Sequence, residues 1–307
     1  MGENMRDILL KEKITHGTPI QPVNALHFEV GKNAPDGDVF FVENHWHDYV
    51  EFIVVRKGSY QIRINLETVS LHEGDICIFN SGDLHQITSM EEEDCHDAFL
   101  FDPAILGFHY QDQWNQEVIG PFVNHALLCA NMIHPGQERY EKLLEAMDEL
   151  FAITYSRGDF WYERCKLKLL ECLLGLQAGG YLVSADEAFS SAEQIQIERY
   201  KKIVNYIESH YQEPLSLERL AEQIPCNSQY LCRFFKKISG ETPIQYLIKY
   251  RVQQSCFMLK ETRKSISEIA LDCGFDNISY YIRKFKEIQG ETPGEYRKEH
   301  SHKKERF

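Results

Sequence analysis

His45-Trp-His47-Asp-Tyr-Val-Glu51, then Gly58, Gly74-Asp75, Gly82 and His85, gather the side chains of this chain best suited to holding a ligand. Histidines two apart on a strand point to one side, because strand side chains alternate. Imidazoles with a carboxylate suit Fe, Ni, Mn or Zn. Buried together without an ion, three imidazoles and a carboxylate instead need an organic ligand that hydrogen-bonds to them. Other reactive chemistry lacks its signatures. The sequence holds no G-x-S-x-G, no phosphate-binding glycine loop and no Cys–His pair with supporting spacing.

A second constellation repeats itself. Residues 216–247 match 265–297, with Gly240-Glu-Thr-Pro243 and Gly290-Glu-Thr-Pro293 fifty positions apart, as are Arg233 and Arg283. Each copy predicts a short helix, a tight turn and a second helix. Ser216 and Asn227 are the expected caps in the first copy, Ser265 and Asn277 in the second. Ala221 and Ala270 are small enough to let the paired helices cross closely, and Gly274 makes the second turn. This is the pattern of a helix-turn-helix, written twice.

The elements that must position these groups follow from periodicity. Residues 23–101 alternate in short runs broken at Gly31, Pro35-Asp36-Gly37, Lys57-Gly58 and Gly74-Asp75, predicting a sandwich or small barrel. His27, on the first run, is expected to line the same interior, whereas His72, His96, His109, His125 and His134 read as surface or loop. Helical spacing takes over at 138–155 and 159–177, with Asp159 as the expected cap of the second helix. Leu169, Cys172, Leu173 and Leu176 form a stripe assigned to a dimer interface. Residues 178–194 are small, polar and aperiodic, predicting a linker.

Composition bounds the class. The 307 residues, 43% hydrophobic and 26% charged, suit two globular domains. The start lacks the apolar core of a secretion signal, no run is long enough to span a bilayer, and nine scattered cysteines suit a reducing cytoplasm. The net charge of −14 is uneven: residues 195–307 hold 20 Lys and Arg against 15 Asp and Glu, leaving the rest strongly acidic. An acidic module joined to a polyanion-binding one has that asymmetry.

The repeat, LxxLAxxx…YLxRFFKxxxGxTPxxYL followed by IxxIAxxxGFxxxxYxxRxFKxxxGxTPxxYR, resembles the AraC (arabinose-operon regulator) family of transcription factors over about residues 195–298. Asn227, Pro225 and Ser255 depart from its pattern without removing a core or charge position. The resemblance implies two helix-turn-helix units joined by a long helix over about 243–259, their second helices entering successive major grooves. By position, Gln229, Cys232 and Arg233, then Ser279, Ile282 and Arg283, become the base-reading residues, with Lys236 and Lys286 on phosphates. The N-terminal set resembles the cupin motifs, in which His45, His47, Glu51 and His85 would form a metal cage. Asn80 and Ser89 stand where Pro and Asn are usual, and sensor domains of this family often carry the first motif without metal. The reading therefore favours an organic effector and no cofactor, with a divalent metal at the same four residues as the alternative.

The expectation is an α+β chain. A cupin-like barrel (1–136) senses a sugar or related metabolite, a helical segment (137–177) dimerises, a linker (178–194) follows, and an all-α double helix-turn-helix (195–307) binds double-stranded DNA. The chain is expected to be a cytoplasmic homodimer and not an enzyme, and the resemblance further implies activation by recruiting RNA polymerase. A metal-dependent cupin oxygenase or isomerase, and a direct metal sensor, are the competing readings.

Overall fold

Alternating apolar runs become antiparallel strands in a computed structural model of the chain, which describes residues 16–30, 40–188 and 191–301. They are β1 (Val23–Glu29), β2 (Phe41–His45), β3 (Val50–Lys57), β4 (Ser59–Ile64), β5 (Glu67–His72), β6 (Ile76–Phe79), β7 (His85–Ser89), β8 (Cys95–Phe101), β9 (Leu127–Cys129) and β10 (Met132–Ile133). The turns expected at Gly31 and Pro35-Asp36-Gly37 lie outside the described residues. The described residues pack as two units that divide between Gln194 and Ile195.

In the first unit, one sheet has the order β1-β8-β3-β6-β10 and another β2-β7-β4-β5. Ile53, Val55, Cys77, Phe79, Ala98 and Leu100 of the larger sheet meet Tyr60, Ile62, Leu71 and Ile87 of the smaller in a shared core. The alternate residues Val50, Phe52, Val54, Ile76, Phe99 and Phe101 face the other way, into a second core. Burial on both faces explains why β3 is an almost unbroken apolar run. A short helix α1 (Gly120–Val123) precedes β9, and α2 (Tyr140–Ser156) and α3 (Trp161–Ala178) cover the larger sheet.

That covering corrects the expected interface. Leu169, Cys172, Leu173 and Leu176 are no more than 2% exposed and belong to this chain's own core, beside Leu143, Met147 and Leu150 of α2. Phe160, Leu167 and Leu174, at 77%, 69% and 49% exposure, are the apolar side chains facing outward. Asp159 does not cap α3. The helix is entered from Phe160 in the left-handed region (φ 54°), where no side-chain cap bond forms. A capping Asp needs extended backbone, and left-handed residues at Arg157 and Phe160 turn the chain too tightly for one. The described residues 178–188 also hold more regular structure than a linker. They carry β11 (Leu182–Ser184), which pairs antiparallel with β9, and α4 (Ala185–Ala188). Three residues are too few to show a period, and the hydroxyl of Tyr181 donates to the Glu138 carbonyl to anchor the turn before them.

The second unit follows its caps. After α5 (Ser191–His210) come α6 (Leu217–Ala221), α7 (Ser228–Ser239), α8 (Pro243–Glu261), α9 (Ile266–Asp272), α10 (Ile278–Gln289) and α11 (Pro293–Ser301). Ser216, Asn227, Ser265 and Asn277 each accept a backbone N–H of the first helical turn. Thr242 and Gln245, and Ser265 and Glu268, form reciprocal capping boxes. Gly240 and Gly290 close α7 and α10 in the left-handed region. Gly274 turns the second unit at φ +82°, and a Cβ there would meet the Tyr211 carbonyl at 2.6 Å. Arg251 of α8 holds that same carbonyl at 2.7 Å and the Glu213 carbonyl at 2.7 Å, with its guanidinium 5.7 Å from the centre of the Phe275 ring. No helix among the described residues is long and apolar enough to cross a membrane.

Candidate functional site

Strand pairing assembles the histidine group. His45, ending β2, lies opposite His85, opening β7, and a bulge between Val42 and His45 adjusts the register. Glu51 shares the inward phase of Ile53 and Val55 on β3 and pairs with Phe79 of β6. Ring centres of His45 and His85 are 4.2 Å apart, and those of His47 and His85 4.9 Å. Glu51 Oε2 lies 3.3 Å from His47 Nε2 and 3.4 Å from His85 Nε2. His47, Glu51 and His85 are buried and His45 is half-buried at the rim. Burial alone would raise the Glu51 pKa, but hydrogen bonds and charge from His47 and His85 outweigh it and hold the group well below the usual carboxylate range. It is a carboxylate.

Each imidazole is oriented from behind. His45 Nδ1 donates to the Glu43 carbonyl at 2.9 Å, His47 Nδ1 to Tyr49 at 3.0 Å, and His85 Nδ1 to Asp83 at 2.8 Å. Phe79 stacks on the His85 ring at 4.1 Å. The Asp83 carboxylate is gripped by Asn65 Nδ2, the Asn80 backbone N–H and Asn131 Nδ2. Asn80 also exchanges hydrogen bonds with the backbone of Cys129, tying the loop to β9. A proline there could supply none of these three bonds, which accounts for the departure at that position.

Three positions needed the structure. His27 does not join the group: it is exposed on the opposite phase of β1 and binds Asp97 at 2.7 Å, while its neighbours Leu26 and Phe28 take the interior. His16, before β1, is buried with its ring 6.0 Å from His47 and 5.2 Å from Tyr49, and no spacing marks it in the sequence. His96 is not on the surface. It is 1% exposed, stacked on Phe28 at 4.9 Å, and edge-on to Tyr60 at 4.8 Å. Beside the group, a cleft of about 390 Å³ is lined by Asp48, Tyr49, Ser81, Asp102, Val123 and His125.

Burial lowers the His96 pKa from 6.5 to about 4, so the folded chain refuses a proton that the unfolded chain accepts. Stability therefore falls as pH drops from about 6.5 to 4, by about 3 kcal/mol from this group alone. Urea unfolding at pH 7 and pH 4.5 should show native protein losing more stability than His96→Phe. Equal losses would contradict the assignment.

The second site is two helix faces. In α7, Leu231, Phe234, Phe235 and Ile238 are buried, leaving Gln229, Arg233 and Lys236 exposed and Cys232 half-buried. In α10, Tyr281 and Phe285 are buried, and Ser279, Ile282, Arg283 and Lys286 are exposed. All eight expected DNA-facing residues thus lie on the outer sides of the two helices. The Arg283 guanidinium sits 5.4 Å from the centre of the Tyr280 ring. Lys284 instead pairs with Glu287 at 2.7 Å.

Residues 28–160 match the family model described as an AraC-like ligand binding domain, and residues 220–299 the model described as a helix-turn-helix domain. Similar curated proteins match across both regions. The uncharacterized HTH-type transcriptional regulator YdeC of Bacillus subtilis is 27% identical over 272 residues, 89% of this chain and 90% of that one. The HTH-type transcriptional activator RhaS of Mannheimia succiniciproducens is 24% identical, covering 77% and 82% of the two chains. The melibiose operon regulatory protein of Escherichia coli is 24% identical, covering 83% of each.

Proposed function

The chain belongs to the AraC family and is a DNA-binding transcriptional regulator, and we propose that a small metabolite held at the polar end of its barrel controls that binding. The observation carrying this reading is the buried His/Glu group beside a cleft of ligand size, in a chain that also presents two outward helix faces. Acidic and hydroxyl side chains in the cleft suit a polyhydroxylated compound, and the melibiose operon regulator among its relatives points toward a sugar. On this reading the barrel is a sensor and not a catalyst, and the protein activates transcription in the cytoplasm by recruiting RNA polymerase. The sensor domain takes in the barrel (1–136) and helices (137–177), with 178–194 leading into the DNA-binding domain (195–307).

We assign dimerisation to the outer face of α3. Leu167 and Leu174 of α3 are spaced seven apart, so they recur after two turns, about 10.5 Å, along one stripe, and exposed Phe160 lies just before the helix. Two copies joined there bring four reading helices to paired half-sites.

Full-length protein should bind duplex DNA with a steep salt dependence, each neutralised phosphate adding about −0.9 to the log–log slope. Lys236→Ala and Lys286→Ala should each flatten the slope by about one such increment and weaken all sequences alike. Absence of binding at low salt would sink the DNA-facing assignment. A metabolite panel read by thermal shift then identifies the effector class.

A further inference from the structure

β1 and β8 pair so that His27 faces Asp97 and Glu29 faces Cys95 across the ladder. Strand side chains alternate, so these four share the side of the sheet opposite to Leu26, Phe28 and Ala98, which take the interior. Their contacts form a row. Cys95 Sγ lies 3.8 Å from His27 Nε2, and His27 Nδ1 lies 2.7 Å from Asp97 Oδ1. Asp97, ion-paired to Arg56 at 2.6 Å, is a carboxylate that only accepts hydrogen bonds. Nδ1 therefore carries the hydrogen of the neutral imidazole, and Nε2 turns a lone pair to the thiol. Thiol, imidazole and carboxylate in that order are the arrangement that gives a nucleophile its base. No local spacing marks it, because Cys95 and His27 stand 68 residues apart.

The surroundings hold the row and receive its charge. Asp97 is buried, accepts Arg56 Nε at 2.6 Å and the Tyr155 hydroxyl at 3.2 Å, and Arg56 reaches on to Asp148 of α2 at 2.6 Å. Once Nε2 has taken the thiol proton, the imidazolium lies between Asp97 and Glu29 Oε2, the latter at 3.9 Å. Lys57, opposite Cys95 on β3, brings an ammonium toward the thiolate and shares it with Glu93. The row is also reachable. The His27 side chain is 50% exposed and Cys95 is half-buried. Cys77, Cys129, Cys165 and Cys172 of the same unit are buried, and burial pushes their thiols up.

We propose that Cys95 is a covalent modification site for soft carbon electrophiles of the α,β-unsaturated carbonyl class, with His27 as its base and Asp97 positioning the imidazole. His27 Nε2 takes the Cys95 proton, and a sulfur electron pair forms the bond to the β-carbon. The carbon–carbon π pair moves toward the carbonyl oxygen as an enolate. The imidazolium then returns its proton to the α-carbon, leaving a thioether and a neutral imidazole. Nothing departs and no second thiol is needed, which suits a unit whose other cysteines are buried. The inference is independent of what occupies the barrel.

The test treats full-length protein with limiting acrolein or N-ethylmaleimide and maps the adducts by peptide mass spectrometry. Within the N-terminal unit, Cys95 should be labelled first, and Cys95→Ser should remove that adduct. An ordinary thiol, of pKa about 8.5, is only a few per cent thiolate at pH 7. His27→Gln, with circular dichroism confirming the fold, should therefore slow Cys95 labelling by roughly tenfold or more at pH 7. Between pH 8 and pH 7 its rate should fall by about tenfold, whereas the native rate changes little. Asp97→Asn should move the profile the same way, and an unchanged profile would remove Asp97 from its role. The native profile is decisive by itself: a fall of about tenfold over that range would overturn the site. So would Cys95 left unlabelled, or a folded His27→Gln that reacts as fast as native protein at pH 7.

Discussion

Leu173→Glu is expected to unfold the N-terminal unit, and Leu169→Glu to do the same. Both side chains lie in the core that joins α3 to α2 and the larger sheet, at 2% and 1% exposure. Truncating such a leucine to alanine costs about 2–5 kcal/mol. Glutamate adds a carboxylate with no partner, which brings the loss to the size of a typical domain's whole stability. The outward pair behaves differently. Leu167→Glu and Leu174→Glu, at 69% and 49% exposure, should leave the melting temperature within a few degrees of native while converting dimer to monomer. Circular dichroism melts and sedimentation at micromolar concentration read both outcomes. A folded, monomeric Leu173→Glu would move the inward stripe back to an interface between copies. A native monomer would remove the dimer.

Arg233→Ala and Arg283→Ala should each weaken operator binding by about 1–3 kcal/mol, roughly five- to 150-fold. The two residues hold matching places in the repeat, on outer faces of α7 and α10 backed by Phe235 and Phe285. Bidentate contact with a guanine edge would make the loss specific to one base pair per arginine. The measurement is affinity for the operator and for its single-base-pair variants at one salt concentration. Uniform weakening across all sequences would reassign the arginines to phosphates.

The DNA-binding half was legible because its information is local. A cap such as Asn227, a left-handed stop such as Gly240 and a Pro243 at the first helical position each act within four residues. The His/Glu group was legible through strand alternation, except where phase decided the matter. His27 differs from Leu26 and Phe28 by one position on β1, and a single strand does not say which face meets the interior. α3 carries apolar residues on nearly every side, so its composition could not say which stripe packs on its own sheet and which faces outward. Only the surrounding core settles that. β5 has a single buried side chain, Leu71, too little to signal a strand, and His16 reaches His47 through tertiary folding alone.

Arg251 gives the second unit the character of a caliper. It clamps the Tyr211 and Glu213 carbonyls from α8 while its guanidinium lies against Phe275, just past the Gly274 turn, where even one added carbon would collide with the Tyr211 carbonyl. The segment leading into α6 and the turn leading into α10 are thereby pinned to one strut, α8, on which α7 and α10 also pack. One base pair inserted between their contacts would rotate the second set by about 34–36° around the duplex. If α7 and α10 enter successive grooves as proposed, a frame tied to one strut meets that rotation by twisting or bending the DNA. The spacing of an operator for this chain would then be selected as strictly as its letters.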